Sequence, residues 1–341
     1  MNPPRSPLAF LMPGWFSIVM GLSGLALAWH RAAATLGAPA TAVSAALALA
    51  AAVVFVLLLV SSAARMRRFP EALREDLRHP VRHAFVATVP ISALLLVTLW
   101  VALIGPGPLV ALAWWIASVA QLAVTLWVLA RWWRGNQPDG LAWAALTPAL
   151  IVPIVGNVLV PLAGVPLGYP FASAAQFGIG LLFWPVVLIL LLARIAVAGL
   201  WPERLMPTMF IMIAPPAVIG VDMLQFGASP LLAWGAWGMA LFFLLWAITQ
   251  VRRIVALEFG IPHWAMSFPL AALAVLTIRL AAPENGGGPL MQLFALFALA
   301  AVSVVVIGLV FGTLRGLRGG TLLVPEPAPA AQPAVSGGQS R

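Results

Sequence analysis

Apolar residues in this chain neither alternate as in a half-buried strand nor repeat on one face as in a water-facing helix. They run on with little interruption, and short clusters of arginine, proline and glycine punctuate them. A helix needs roughly 20 apolar residues to cross a hydrocarbon core about 30 Å thick. Breaking the chain at its charges and Pro/Gly clusters predicts ten such runs: 10–29, 40–62, 84–104, 109–130, 142–163, 172–196, 208–227, 231–250, 264–282 and 290–313. The connectors are short, so consecutive runs should pair as antiparallel helices, and no sizeable soluble domain fits between them. Arg5 ahead of the first run and the alanines after it superficially suit a signal peptide. The run is too long for one and contains Pro13, Gly14, Gly21 and Gly24, so it is expected to remain as the first span.

Proline divides the runs into two kinds. The third contains Pro90, the fifth Pro148 and Pro153, the seventh Pro215 and Pro216, the ninth Pro269, and the first begins with Pro13. Among the even runs only the sixth has an internal proline, Pro185. The period is one helical pair, so the chain reads as five hairpins with a breaker in the first helix of each. A proline within a helix removes a backbone hydrogen bond. In lipid the freed carbonyl is tolerated only against protein or a wet cavity. The odd helices should therefore face inward around a central conduit, with the even helices outside against lipid. The bland alternative is that Pro and Gly are simply commoner in membrane helices.

Composition agrees with a membrane class. Of 341 residues, 63% are hydrophobic and 8% charged, against about a quarter charged in an average soluble domain. Such a surface excludes a soluble enzyme and a disordered chain. All 18 basic residues are arginine, against 9 acids, for a net charge of +9. In a soluble protein that excess would raise the question of nucleic acid; here the arginines lie between apolar runs, so no nucleic-acid partner is expected. Arg65, Arg67, Arg68, Arg74, Arg78 and Arg82 follow the second run, Arg131 and Arg134 the fourth, Arg252 and Arg253 the eighth, Arg315 and Arg318 the tenth. Loops after odd runs are nearly bare apart from His30 and Arg31. By the positive-inside rule both termini are cytoplasmic, in what the Ala- and Arg-rich composition suggests is a bacterial inner membrane. The domain reading is a cytoplasmic N-terminal segment over 1–9, the ten-helix unit over 10–316, and a disordered cytoplasmic tail over 317–341. Cysteine is absent, and the four histidines do not cluster as metal ligands, so neither cofactor nor metal is expected.

Four stretches then carry a resemblance. The first helix reads Phe16-Ser-Ile-Val-Met-Gly21-Leu-Ser-Gly24 and continues to Trp29-His30-Arg31. The fifth has Thr147-Pro148 and Val152-Pro-Ile-Val-Gly156-Asn157, the seventh Ala214-Pro215-Pro216-Ala217, and the ninth Trp264-Ala-Met-Ser267-Phe268-Pro269. From about residue 8 to residue 316 the chain resembles the tellurite-resistance/dicarboxylate transporter family, which includes bacterial TehA and the slow anion channels of plant guard cells. The resemblance implies an all-α protomer of ten transmembrane helices in quasi-fivefold arrangement around its own pore, and a homotrimer. It also implies passage of small anions or dicarboxylates, and a phenylalanine plug that falls on Phe268. Two departures, Gly14-Trp15 before the first motif and the single tryptophan of His263-Trp264, leave subclass and substrate open.

Candidate site residues follow from these readings. Phe268 is the candidate gate, because an aromatic ring across a narrow bore fills volume and dewets it; ordinary helix packing is the alternative. Gly21, Gly24, Pro90, Pro153, Gly156, Pro215 and Pro269 are candidate pore-lining kinks, where backbone dipoles could face a hydrated ion. Asp222 and Arg279 lie inside apolar runs at similar depth, which suggests an intramembrane ion pair between the seventh and ninth helices, or two side chains that snorkel outward. Asn157 could bond backbone or solute. The function expected is a passive or gated anion channel or channel-like transporter. The alternatives are a proton-coupled dicarboxylate carrier, an exporter of tellurite-like oxyanions, and a purely structural membrane protein. Proton coupling normally needs a titratable group in the path, and Asp222 is the obvious candidate. The acidic clusters or paired catalytic residues of an intramembrane enzyme do not occur, so no enzyme is expected.

Overall fold

The computed structural model of the chain describes residues 6–135, 137 and 140–325; the first five residues and the tail from 326 onward lie outside these. Among the described residues every regular element is helical. In chain order these are α1 (Ser17–Leu36), α2 (Ala38–Arg68), α3 (Pro70–Arg78), α4 (Thr88–Leu103), α5 (Pro108–Ala130), α6 (Ile151–Val158), α7 (Pro161–Gly164), α8 (Pro170–Ala198), α9 (Ala214–Gln225), α10 (Pro230–Ile248), α11 (Val251–Val255), α12 (Ser267–Leu280) and α13 (Pro289–Arg318). Gly37 separates α1 from α2 at a φ of 72°, a left-handed conformation that a side chain would strain. After α13 the chain folds back, and Leu322 is buried against Gly316.

Among the described residues eight helices, some with their 3-10 leaders, are long and apolar enough to cross a membrane, against ten runs expected. The difference lies in the first and fifth runs. Helix α1 carries His30 and Arg31 inside it and extends to Leu36, well past the expected end at 29. The fifth run breaks into α6 and α7, and Pro148–Gly164 is shorter than a full span.

The proline-bearing elements are the interior ones. In the spans Arg82–Leu103, Glu203–Gln225 and Ile261–Leu280, between 56% and 94% of the most apolar stretch is buried; in the five others the share is 17–33%. α1 packs on α4 and on α12, α4 on α6, α6 on α9, and α9 on α12, which closes a ring in chain order. α2, α5, α8, α10 and α13 pack outside α1, α4, α6, α9 and α12 respectively. Each outer helix buries one narrow stripe. On α2 it is Ser44, Ala51, Leu58 and Arg65, every seventh residue; on α10 it is Ala233, Ala236, Ala240, Phe243 and Ala247. Small residues on the stripe let backbones approach closely. The remaining faces expose Leu57, Val60, Ile116, Ile189 and many similar side chains, far more apolar surface than water tolerates in one molecule.

The prolines do not kink mid-helix as expected. Each inner element starts as a 3-10 helix, at Pro13–Phe16, Arg82–Ala87, Pro148–Leu150, Glu203–Ile213 and Ile261–Met266, and then widens to an α-helix. Pro90, Pro153 and Pro269 are the third residues of α4, α6 and α12, and Pro215 is the second of α9. In the first turn of an α-helix the N–H groups lack α-helical partners, so proline's missing donor costs little there. The bend is therefore a change of helical pitch. Hydroxyls take up carbonyls at these junctions: Ser17 Oγ donates to Gly14 O (2.6 Å), Thr88 Oγ1 to Phe85 O (2.6 Å), and Ser267 Oγ to Trp264 O (2.6 Å). Each is the first residue of its α-helix.

At the broken element the carbonyl of Pro153 accepts from Gln121 Nε2 (2.7 Å), Thr125 Oγ1 (2.7 Å) and Asn157 Nδ2 (3.2 Å). Gln176 Nε2 joins through Asn157 Oδ1 at 3.1 Å. Asn157 thus bonds backbone and neighbouring side chains, and is fully buried. Gly156 makes the network possible, because a Cβ there would overlap the Gln121 carboxamide. Gly156→Ala should cost about 1–3 kcal/mol through overpacking, read as a lower Tm of the purified protein in detergent. An unchanged Tm would mean that Gln121 is free to move aside.

Candidate functional site: a divided axial cavity

Two cavities lie within the ring of inner elements. The larger, about 420 Å³, is lined from all five: Met20 of α1, Thr88 of α4, Val155 of α6, Ala214 of α9 and Phe268 of α12 are representative. The smaller, about 40 Å³, lies toward the C-terminal halves of the inner helices and is also lined from all five elements, by Gly24, Thr98, Leu162, Val218 and Ala272 among others. No residue of α2, α5, α10 or α13 lines either one.

Phe268 is the one described residue common to both linings. Local structure aims it there. Ser267 and Pro269 flank it at the pitch change, with the Ser267 hydroxyl on the Trp264 carbonyl. On the neighbouring α1, Gly24 supplies clearance: a Cβ there would come within 3.1 Å of Phe268 Cδ2. The ring is 5% exposed.

The linings are apolar with charge at the ends, and all of that charge is basic. Arg82, Arg194 and Arg204, with His79, edge the larger cavity, and Arg31 edges the smaller; among the described residues no Asp or Glu lines either. Arg82 is steered by Asp76 at 2.7 Å and Glu75 at 3.3 Å. Arg194 donates to the carbonyls of Trp143 (2.6 Å) and Leu146 (3.4 Å). Such a chamber repels cations electrostatically and concentrates anions at its ends.

The other sequence candidates separate. Pro269 and Gly24 line a cavity, whereas Gly21, Pro90, Pro153, Gly156 and Pro215 line neither, although all five are buried. Gly21 instead admits Ser267 and Trp264 against α1, as Gly156 admits Gln121. The expected ion pair is not closed. Arg279 Nη1 donates to the carbonyl of Val221 at 2.9 Å, and both oxygens of the buried Asp222 are without a hydrogen-bond partner. The guanidinium has taken a carbonyl in the last turns of α9, at the negative end of that helix dipole. Sequence reading passed over the junction hydroxyls, although Thr88-x-Pro90 and Ser267-x-Pro269 repeat one spacing. It also passed over Arg31, which was read only as an exception to the charge pattern.

Comparison with known proteins agrees with this geometry. Residues 11–314 match the SLAC1 family model, described as a voltage-dependent anion channel. The chain is 27% identical over 317 residues to a tellurite resistance protein TehA homolog of Haemophilus influenzae, covering 91% of this chain and 92% of that one. It is 25% identical over 297 residues to the S-type anion channel SLAH2 of Arabidopsis thaliana, covering 86% and 57%, and 24% identical over 249 residues to SLAH3 of the same plant, covering 72% and 38%.

Proposed function

The chain belongs to the SLAC1 family of voltage-dependent anion channels, and from that premise we propose that it passes small anions through an axial conduit in each protomer, with Phe268 as the plug. The observation that carries this reading is the pair of cavities that, among the described residues, share only Phe268 and are edged by basic residues and by no acid. An anion in the larger cavity meets an aromatic ring and, beyond it, a much smaller cavity of about 40 Å³. It would have to shed its hydration to advance, so the barrier is one of volume and dewetting. Rotation of the Phe268 side chain would join the cavities.

The ten runs are then ten crossings in five hairpins. α1 at 20 residues and the Pro148–Gly164 element complete the set, the latter because protein and not lipid surrounds its break. The arginine-rich ends, and with them the larger cavity and both termini, face the cytoplasm of a bacterium by the positive-inside rule. A homotrimer is carried over from the family resemblance. Dicarboxylates of the malate type remain within the substrate class, given a chamber of about 420 Å³. Proton-coupled carriage would have to run through Asp222, which lines neither cavity.

The test is ion selectivity in a planar bilayer. Phe268→Ala protein under a tenfold chloride gradient, with a potassium gradient of equal size, should reverse near the chloride equilibrium potential. Reversal near the potassium potential would sink the reading. A flux driven by a proton gradient and abolished by Asp222→Asn would favour the carrier instead.

A further inference from the structure

After α13 the chain turns back through Gly319 and Gly320 and continues without regular structure to Pro325. The turn is held locally: Gly320 N–H donates to Leu317 O at 3.3 Å and Thr321 N–H to Gly316 O at 3.0 Å. From Leu322 to Pro325 no hydrogen bond reaches any described residue. Leu322 is the anchor, 9% exposed and packed into the apolar cluster of Leu11, Trp15 and Leu309. It seats on Gly316, where an added Cβ would lie 2.8 Å from Leu322 Cγ. Leu323 has a φ of 60°, the one non-glycine residue among the described residues in the left-handed region. A leucine stays there only where its surroundings impose it. The segment then ends in Val324 and Pro325, which wall a separate cavity of about 180 Å³. Arg65, Glu75, Asp76, Arg82 and Met12 also line that side cavity, and the last two line the larger axial cavity as well.

We propose that Leu322–Pro325 is a strap that regulates the conduit from its arginine-rich end. Seated, it closes the side cavity over the Arg65–Asp76–Arg82 cluster; released, it admits water and frees Arg82 to turn into the mouth. This rests on the conduit reading above and extends it to regulation. Under the seated strap, apolar Val324 and Pro325 shield charges that attract more strongly the less water surrounds them. Arg82 Nη1 is held by Asp76 at 2.7 Å and Nη2 by Glu75 at 3.3 Å, while its Nε is buried without a hydrogen-bond partner. Water in the side cavity weakens these pairs, because solvent-screened bridges contribute little. A guanidinium with an unspent donor then moves toward the larger cavity and adds positive potential at the entrance. The strap is built to release. One apolar side chain seats it, no hydrogen bond to a described residue fixes it past Thr321, and the strain at Leu323 is relieved when it leaves.

Two release variants of the full chain test this. Gly316→Ala lies within α13, where alanine is the better helix former, so it expels Leu322 without weakening the helix; Leu322→Ser removes the anchor itself. Cysteine is absent from the chain, so Ala72→Cys, in the wall of the side cavity, supplies a single reporter thiol. In detergent, either release variant should speed its reaction with a charged methanethiosulfonate by about tenfold or more. In planar bilayers, with Phe268→Ala present, either should raise chloride current entering from the arginine-rich side about two- to fivefold and leave entry from the other side unchanged. Adding Arg82→Gln should abolish that gain. An unchanged thiol rate in both variants, or one that rises only in step with a lowered Tm, overturns the strap. An exposed thiol with unchanged current, an equal change in both directions, or a gain that survives Arg82→Gln overturns the regulation and leaves the conduit reading standing. If Phe268→Ala passes no anion, the conduit reading fails, and a strap-dependent thiol rate would still support the strap as the closure of the side cavity.

Discussion

Alanine at position 268 is expected to raise anion current by on the order of tenfold or more, equivalent to removing about 1.4 kcal/mol from the permeation barrier. The expectation follows from the ring's place and not from its burial alone. Phe268 is the only described side chain to reach both cavities, so removing the ring joins a chamber of about 420 Å³ to one of about 40 Å³. Leucine should give an intermediate current, because it fills part of the volume and stays apolar. Tryptophan should remain closed. Core Phe→Ala changes usually cost about 3–5 kcal/mol; here part of the ring faces open space, so the loss should fall toward the lower end. Single-channel currents from equal amounts of folded protein would separate gating from yield. Equal conductance across alanine, leucine and phenylalanine would remove Phe268 from the path.

Asp76→Ala should be the most destabilising single change outside the axis, by about 3–5 kcal/mol, a large share of the roughly 5–15 kcal/mol typical of folded proteins. Asp76 on α3 is fully buried and bridges two arginines, Arg65 of α2 at 2.7 Å and Arg82 at the larger cavity at 2.7 Å. Arg65, itself 4% exposed, also donates to the carbonyls of Ala9 (3.1 Å) and Ala72 (3.2 Å). One carboxylate therefore ties together α2, α3, the chain ahead of α1 and the start of the second inner element. Its removal leaves buried positive charge uncompensated. Glu75→Ala is the control: that side chain is 57% exposed, and a solvent-screened pair contributes at most about 1 kcal/mol. Thermal unfolding of both variants in detergent tests the contrast, and equal Tm values would show that the clamp is dispensable.

Much of this molecule was legible without coordinates. The odd and even runs differ in proline, and their burial differs in the same sense, because a backbone with a missing donor cannot face hydrocarbon. Phe268 could be singled out only through the resemblance, since a phenylalanine beside a proline is unremarkable in a membrane helix. The role of the prolines could not be read. Whether proline kinks a helix or begins one depends on what precedes it, and the 3-10 stretch at Glu203–Ile213 is held by packing that no local pattern encodes. That Asp222 and Arg279 form no hydrogen-bonded pair has a related cause. Depth along a helix can be counted from sequence, but direction around its axis relative to a neighbour cannot.

Sequence by itself determined the solvent of the surface, the placement of eight candidate spans and that the proline-bearing ones among them are the more buried, because these depend on composition and on backbone donors counted along the chain. Tertiary structure decided which inner residues touch empty space and where the carbonyls freed at the pitch changes find donors. Those are matters of rotation and register between helices, set by the simultaneous packing of many side chains drawn from distant parts of the chain.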